Sequence, residues 1–334
     1  MVYFASMEGN MEGYAKNPSS DLTRWIYALL ILGAVIGIVA AGQYMRNVYT
    51  MFIVPNPTGT ILLDLAPLGE TTAFQYHFDV GSGKLSLAKP PFFGYSASGS
   101  RDGHSIVVID SEGEQRSVFV IDLEGGTHEP FSTSDAIPML LPALSPDSQR
   151  VAFTTPPEDV STLQYIEAWS IYVAERGKIP EWVAVGADPH WSPDGRFVLF
   201  LSEAGLRLFD THLRMELLVW PLERADGKAN MKIDVSDDGR KLAWSNTDNH
   251  EVVIASIESW EPFTAVVDQR ISVDAFWPVF SPDGEWLAYE EVTWGEFNDN
   301  PRLVLYNIAS GKMMVVADLS AFDQQRMFMT DWIQ

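Results

Sequence analysis

The chain of 334 residues contains no cysteine. Disulfides, thiol catalysis, thiolate metal sites and c-type haem attachment are excluded by that absence. The compartment is not fixed by it, because a large exported domain needs no disulfides. Positive charge is scarce: 22 Lys and Arg stand against 45 Asp and Glu, a net charge of −23. Such a surface repels nucleic acid and anionic lipid headgroups, so no nucleic-acid partner is expected. It suits a basic protein surface, although plain solubility explains it as well. No Gly-x-Ser-x-Gly elbow occurs, and the nearest string, Gly94-Tyr95-Ser96-Ala97-Ser98, lacks the closing glycine. No phosphate-cradling glycine loop is present. His77, His104, His128, His190, His212 and His250 are scattered, without a pair at metal-ligand spacing. Glu296-Phe297-Asn298-Asp299-Asn300 is rich in oxygen but does not match a 12-residue calcium loop. Catalytic, cofactor and metal sites are therefore left unassigned. After residue 60 no stretch keeps a 3.6-residue apolar period.

What is present is a repeat. Ser281-Pro282-Asp283-Gly284 leads into Leu287-Ala288-Tyr289, and Ser192-Pro193-Asp194-Gly195 into Val198-Leu199-Phe200. Ser145-Pro146-Asp147-Ser148 leads into Val151-Ala152-Phe153, and Ser236-Asp237-Asp238-Gly239 into Leu242-Ala243-Trp244. A worn copy, Ser100-Arg101-Asp102-Gly103, leads into Ile106-Val107-Val108. The five serines are 45, 47, 44 and 45 residues apart. A fixed period of this size marks stacked supersecondary units. Each copy reads as a tight turn and then short strands. Pro presets φ, Asp bonds back to the local backbone, and Gly takes a positive φ. Four short strands in about 45 residues is the content of one propeller blade. Phe153, Phe200, Trp244 and Tyr289 read as blade-to-blade core, and Asp147, Asp194, Asp238 and Asp283 as structural turn residues.

Ser-Pro-Asp-Gly followed by a strand of the Leu-Ala-Tyr type resembles the TolB-like β-propeller family, over residues ~91 to 334. The resemblance implies an all-β propeller. It implies little about function, because propellers serve many roles. The WD-repeat signatures, Gly-His and Trp-Asp, do not recur: Gly-His stands only at Gly103-His104, and Trp-Asp is missing. Five copies place blades near 91–135, 136–184, 185–226, 227–270 and 271–320. Phe328-Met329-Thr330-Asp331-Trp332-Ile333-Gln334 reads as the lead-in strand of a sixth, with Trp332 where Trp191 and Phe280 stand. Residues 59–90 supply three strands, with Gly81-Ser82-Gly83 as a hairpin turn. The expectation is a six-bladed β-propeller over 59–334, its closing blade shared between 59–90 and 326–334. The connection after the second strand is long in blade two (Pro156 to Glu167) and blade five (Thr293 to Pro301). It is tight in blades three and four (Glu203 to Gly205; Thr247 to Asn249). Blades two and five oppose each other, so both long loops are expected to rise beside the central channel.

Ahead of the repeats, residues 1–24 read as a polar tail. Trp25 to Met45 is a run of 21 residues without charge. As a helix it spans about 31 Å, the thickness of a hydrocarbon core. Trp25, Tyr27, Tyr44 and Tyr49 fall where interfacial aromatics belong, and Arg24 and Arg46 bracket the run. A cleavable signal peptide, with Val39-Ala40-Ala41 as its cleavage site, is the rival reading. The long acidic leader and the length of the run favour an uncleaved transmembrane α-helix over 25–45. Gly33, Gly37 and Ala41 lie at i, i+4 and i+8, a small-residue stripe suited to packing against another membrane helix. Lys16 and Arg24 before the run, against Arg46 after it, put the N-terminus in the cytoplasm and the large domain in the periplasm or outside. Residues 46–58, with Pro55 and Pro57, form a stiff linker.

These features together predict a non-enzymatic, single-pass periplasmic propeller that is an accessory subunit of an integral-membrane complex, photosynthetic or respiratory for example. Its expected partners are other integral-membrane subunits, met through Gly33, Gly37 and Ala41, and a basic periplasmic protein surface. Two alternatives stay open. One is a sensor or binding module for a peptide, glycan or ion. The other is a propeller enzyme with its site in the central funnel.

Overall fold

The computed structural model describes residues 54–67, 73–88, 97–100, 103–112, 115–123, 128–133, 140–162, 165–220, 232–246, 251–272, 274–293, 300–318 and 325–334. Residues 25–45, including Gly33, Gly37 and Ala41, lie outside them, as do 247–250 and 294–299. Among the described residues no helix is long and apolar enough to cross a membrane.

Residues 56–334 form one compact unit. It opens with β1 (Thr60–Pro67), β2 (Phe74–Asp79) and β3 (Lys84–Leu87). Blade one follows as β4 (Ala97–Gly99), β5 (Ser105–Glu112), β6 (Gln115–Asp122) and β7 (His128–Thr133). Blade two is β8 (Leu140–Leu144), β9 (Arg150–Thr155), β10 (Ser170–Glu175) and β11 (Glu181–Val185). Blade three is β12 (Ala187–Trp191), β13 (Phe197–Ser202), β14 (Gly205–Asp210) and β15 (Met215–Trp220). Blade four is β16 (Ile233–Val235), β17 (Lys241–Asn246), β18 (Glu251–Trp260) and β19 (Phe263–Ser272). Blade five is β20 (Ala275–Phe280), β21 (Trp286–Thr293), β22 (Asn300–Asn307) and β23 (Met313–Asp318). The last strand, β24 (Gln325–Ile333), pairs antiparallel with β1, so the sixth sheet runs β24-β1-β2-β3. Six four-stranded antiparallel sheets make a six-bladed propeller.

The repeat explains both the turns and the core. In the turns of blades two to five the Asp carboxylate accepts from the Ser hydroxyl two residues earlier: 2.5 Å at Ser145–Asp147, Ser192–Asp194 and Ser281–Asp283, 2.7 Å at Ser236–Asp238. The same Ser Oγ accepts the backbone N–H five residues on, at 2.8 Å from Phe197 and 2.9 Å from Trp286. Gly195, Gly239 and Gly284 sit at φ 66–68°, and blade two holds Ser148 at φ 55° in the same place. On the strand that follows, side chains alternate between neighbouring blades. Val198 and Phe200 pack back onto Ala143, Ala152 and Ile171 of blade two. Val151 and Phe153 likewise pack back onto Val107, Ile109 and Val118 of blade one. Leu199 and Leu201 face forward onto Ile233 and Trp244 of blade four. The core is thus a set of layers between blades, with both faces of each second strand apolar.

One loop departs from expectation. Blade two's long connection does not stand free beside the channel. Val160–Thr162 and Ile166–Ala168 are 3-10 turns, and Ile166 is buried against Ala187, Leu199 and Leu201. An apolar anchor folds this loop down onto blade three.

Candidate functional site at one end of the channel

The strands nearest the axis are β4, β8, β12, β16, β20 and β24. Three of them carry a proline three residues before the turn serine: Leu141-Pro142, Asp188-Pro189 and Trp277-Pro278. Proline has no N–H to give the ladder. The residue before it takes a left-handed φ of 50°, 56° and 55° respectively, and pairing with the second strand slips at each point. A bulge of this kind re-aims a side chain.

In blade three the re-aimed residue is Asp188, only 2% exposed. Its Oδ2 accepts the Ile233 N–H at 2.6 Å. Its Oδ1 lies 3.3 Å from Lys232 Nζ and 3.6 Å from His190 Nε2. Lys232 is itself buried, and its Nζ also donates to the Ile233 carbonyl at 3.2 Å. On the other side of the imidazole, His190 Nδ1 lies 3.5 Å from Asp234 Oδ1. Asp234 Oδ2 accepts the Phe280 N–H at 2.6 Å, and Asp331 Oδ2 accepts the Gly99 N–H at 2.6 Å. One oxygen of each carboxylate therefore holds the inner strand of the next blade: three to four, four to five, six to one. The other oxygens of Asp188 and Asp234 face His190.

These carboxyls differ in acidity. Burial alone would push Asp188 up, but Lys232, His190 and the Ile233 N–H together hold it below the usual carboxylate range. Asp234 goes the other way. Burial, with a smaller push from Asp331, raises it to about 6 against the pull of His190 and Lys232.

A second tier lies on the second strands, nine residues after each turn serine. Thr154 Oγ1 there accepts the Asp188 N–H at 3.1 Å, and Ser245 Oγ accepts the Lys232 N–H at 3.2 Å. Small hydroxyls at this level thus reach the inner strands. Blade five has Glu290 in that place. Blade six has Asp64, whose pairing with Phe328 matches that of Glu290 with Phe276. Glu290 is 7% exposed and Asp64 2%. Asp64 Oδ1 is buried without a hydrogen-bond partner. Burial raises Glu290 to about 8 and Asp64 well above the usual range. At neutral pH Glu290 is a protonated carboxyl with an O–H to donate.

The second tier lies at the end of the strands away from the Ser-Pro-Asp-Gly turns, while the inner tier runs from Asp188 down to Asp234 and Asp331, which bond the residue just before a turn serine. The cluster holds one lysine, one imidazole between two carboxyls and, on the second strands, two further carboxyls that burial pushes up. It can accept and pass a proton or hold a polar group. Among the described residues no group of three or more His, Asp or Glu has metal-binding geometry. Sequence reasoning found none of these residues. The available signal was the proline three before the turn serine, with an ionisable residue on each side of it in blade three only: Asp188-Pro189-His190. The residues singled out for partner binding, Gly33, Gly37 and Ala41, are outside the described residues.

No family model and no curated protein matches the chain. Solved structures do. TolB from Acinetobacter baumannii superposes with a TM-score of 0.58 at 17% identity, covering 85% of this chain and 69% of that one. A putative TolB from Agrobacterium tumefaciens gives 0.53 at 16%, covering 83% and 99%. An oligogalacturonate lyase in complex with manganese gives 0.51 at 12%, covering 74% and 71%. One of these neighbours is an enzyme, so the shared architecture does not separate catalytic from non-catalytic propellers. What the likeness carries is the fold: a TolB-like six-bladed β-propeller.

Proposed function

We propose that the chain is a non-enzymatic, membrane-anchored periplasmic propeller, an accessory subunit that braces an integral-membrane complex. One observation carries this reading. Asp188, Asp234 and Asp331 each commit an oxygen to the backbone of the next blade. The charged groups at the channel end thereby serve ring rigidity, as a brace requires. The uncharged run from Trp25 to Met45 supplies the anchor, and the Gly33, Gly37 and Ala41 stripe the contact with neighbouring membrane subunits. The test is mild detergent extraction followed by native mass measurement. The expected result is a complex larger than this chain; a lone monomer overturns the reading. Replacing Gly33 and Gly37 with Leu is expected to release the chain from that complex while its melting curve is kept.

A second reading, a binding module, is favoured by two buried carboxyls, Glu290 and Asp64, of which Asp64 Oδ1 has no hydrogen-bond partner. Buried polar groups without partners are uncommon and ask for an explanation. A ligand that hydrogen-bonds to Glu290 is expected to raise the melting temperature of the wild type and not that of Glu290→Met.

A further inference from the structure

The face that carries the Ser-Pro-Asp-Gly turns also carries the hairpin tips between third and fourth strands. Those of blades two and three are alike and adjacent. One reads Glu175-Arg176-Gly177-Lys178-Ile179, the other Thr211-His212-Leu213-Arg214-Met215. Ile179 is 82% exposed and Leu213 64%, the two most exposed large aliphatic side chains among the described residues. Trp182, just beyond the first tip, is 54% exposed. Between the tips runs a groove lined by Val173, Val183 and Phe209, bridged by an ion pair of 3.0 Å from Arg214 to Glu181.

The charge here runs against the rest of the chain. Lys178 pairs with Glu175 and Arg214 with Glu181, and Arg176 lies over the Phe131 ring, so three cations stand against two carboxylates in a protein of net charge −23. The blade-four tip reads Trp260-Glu261-Pro262, and the blade-six tip Asp79-Val80-Gly81-Ser82. Neither joins an aliphatic tip to cations, and the blade-five tip sets exposed Met313 beside Lys312 alone, one cation where the paired tips have three.

The chain also enters the ring on this face. The Gly59 carbonyl accepts the N–H of Val80, in the blade-six tip, at 3.0 Å, and the Thr58 carbonyl accepts Trp332 Nε1–H at 2.9 Å. Blade six stands opposite blade three in a six-fold ring. Chain entry and the paired tips are therefore on one face and on opposite sides of it.

We propose that the paired hairpin tips of blades two and three form a membrane-surface contact that seats on anionic lipid headgroups. Aliphatic and Trp side chains enter the headgroup boundary, and the neighbouring Arg and Lys meet the phosphates. The acidic remainder of the disc is repelled and stays in water. At physiological ionic strength that repulsion is screened beyond about 8 Å, so the tips still engage. The inference rests on the tether of the proposed function only for biological setting; the patch stands on its own geometry.

Residues 56–334 contain all six sheets and the compact unit, so the test uses this span without the apolar run. It is floated with phosphatidylcholine vesicles, with and without phosphatidylglycerol, at physiological salt. The expected result is flotation that requires phosphatidylglycerol. Lys178→Ala with Arg214→Ala is expected to lower partitioning about thirty-fold, and Ile179→Asp with Leu213→Asp to abolish it. All side chains changed are exposed, so melting curves are expected to stay those of the parent. Absent flotation, flotation indifferent to phosphatidylglycerol, or flotation kept by both variants overturns the inference. Alkaline carbonate extraction of the full chain tests the tether separately. A chain that stays in the membrane while residues 56–334 fail to float leaves the proposed function standing and removes this contact.

Discussion

Glu290 should make this propeller less stable as pH rises. Its carboxyl is 7% exposed, and burial raises it to about 8 from an ordinary 4.5. In the folded ring it keeps a proton that the unfolded chain releases. A group of this sign favours the fold at low pH. Its stabilising effect is lost progressively from about pH 4.5 up to about 8 and is flat above that. At 1.36 kcal/mol per unit, the penalty at pH 7 is about 3 kcal/mol. A ring of ~280 residues has an unfolding entropy near 0.6 kcal/mol/K, so that penalty is worth ~5 °C in melting temperature. Glu290→Met removes the ionisable group at nearly constant volume. Replacing a buried polar group by an apolar one of the same shape relieves desolvation. The assay is thermal unfolding by circular dichroism from pH 5 to 9, comparing variant with parent. Packing changes shift both ends equally, so the informative quantity is how the difference grows with pH. The variant is expected to match its parent near pH 5 and exceed it by ~5 °C at pH 7. A difference that stays constant with pH, or reverses, refutes the reasoning.

Two further perturbations test the ring. Lys232→Met leaves Asp188 buried beside His190 without its ammonium partner, and is expected to destabilise by ~3–5 kcal/mol; adding Asp188→Asn should restore most of that loss in the same melts. Gly239→Ala and Gly83→Ala separate strain from collision. Both glycines sit near φ +66°, but a Cβ on Gly239 would lie 1.9 Å from Pro193 Cγ, while one on Gly83 meets nothing within 4 Å. Gly83→Ala is expected to cost ~1 kcal/mol of backbone strain and Gly239→Ala at least ~1 kcal/mol more, read from urea midpoints. Equal costs would mean that the blade-three turn yields freely to its neighbour.

The fold was legible because its signal is repeated. Ser, Asp and Gly recur where a tight turn needs an acceptor, a back-bonding carboxylate and a positive φ, and Ser148 shows that the demand outlasts the glycine. The alternation of Val198, Leu199 and Phe200 between the blade before and the blade after follows from strand geometry alone. The channel cluster was illegible for the opposite reason. Asp188, His190, Lys232, Asp234, Asp331, Glu290 and Asp64 come from four blades, and only Asp234 and Asp331 share a repeat position. Only ring closure brings Asp331, near the end of the chain, close enough to raise Asp234. The long blade-two loop misled because loop length carries no information about where an anchor such as Ile166 is buried.

The two ends of the disc therefore obey different rules. At the turn end, blades two to five repeat one hydrogen-bond set, and its carboxylates are spent on local geometry. At the other end, the same strands end in residues that differ from blade to blade: Thr154, Leu201, Ser245, Glu290 and Asp64 occupy one structural level. A repeat holds its fold by what recurs, so residues free to differ are those from which the fold asks least. Glu290 and Asp64 go further, since burying a carboxyl is a cost that the fold does not need. Isosteric Met or Leu at those two positions is the packing solution that the other layers of this ring already use. The excess acidity at the blade five and six end of the channel is thus the feature for which stability gives no account, and it is where a ligand or proton should be sought.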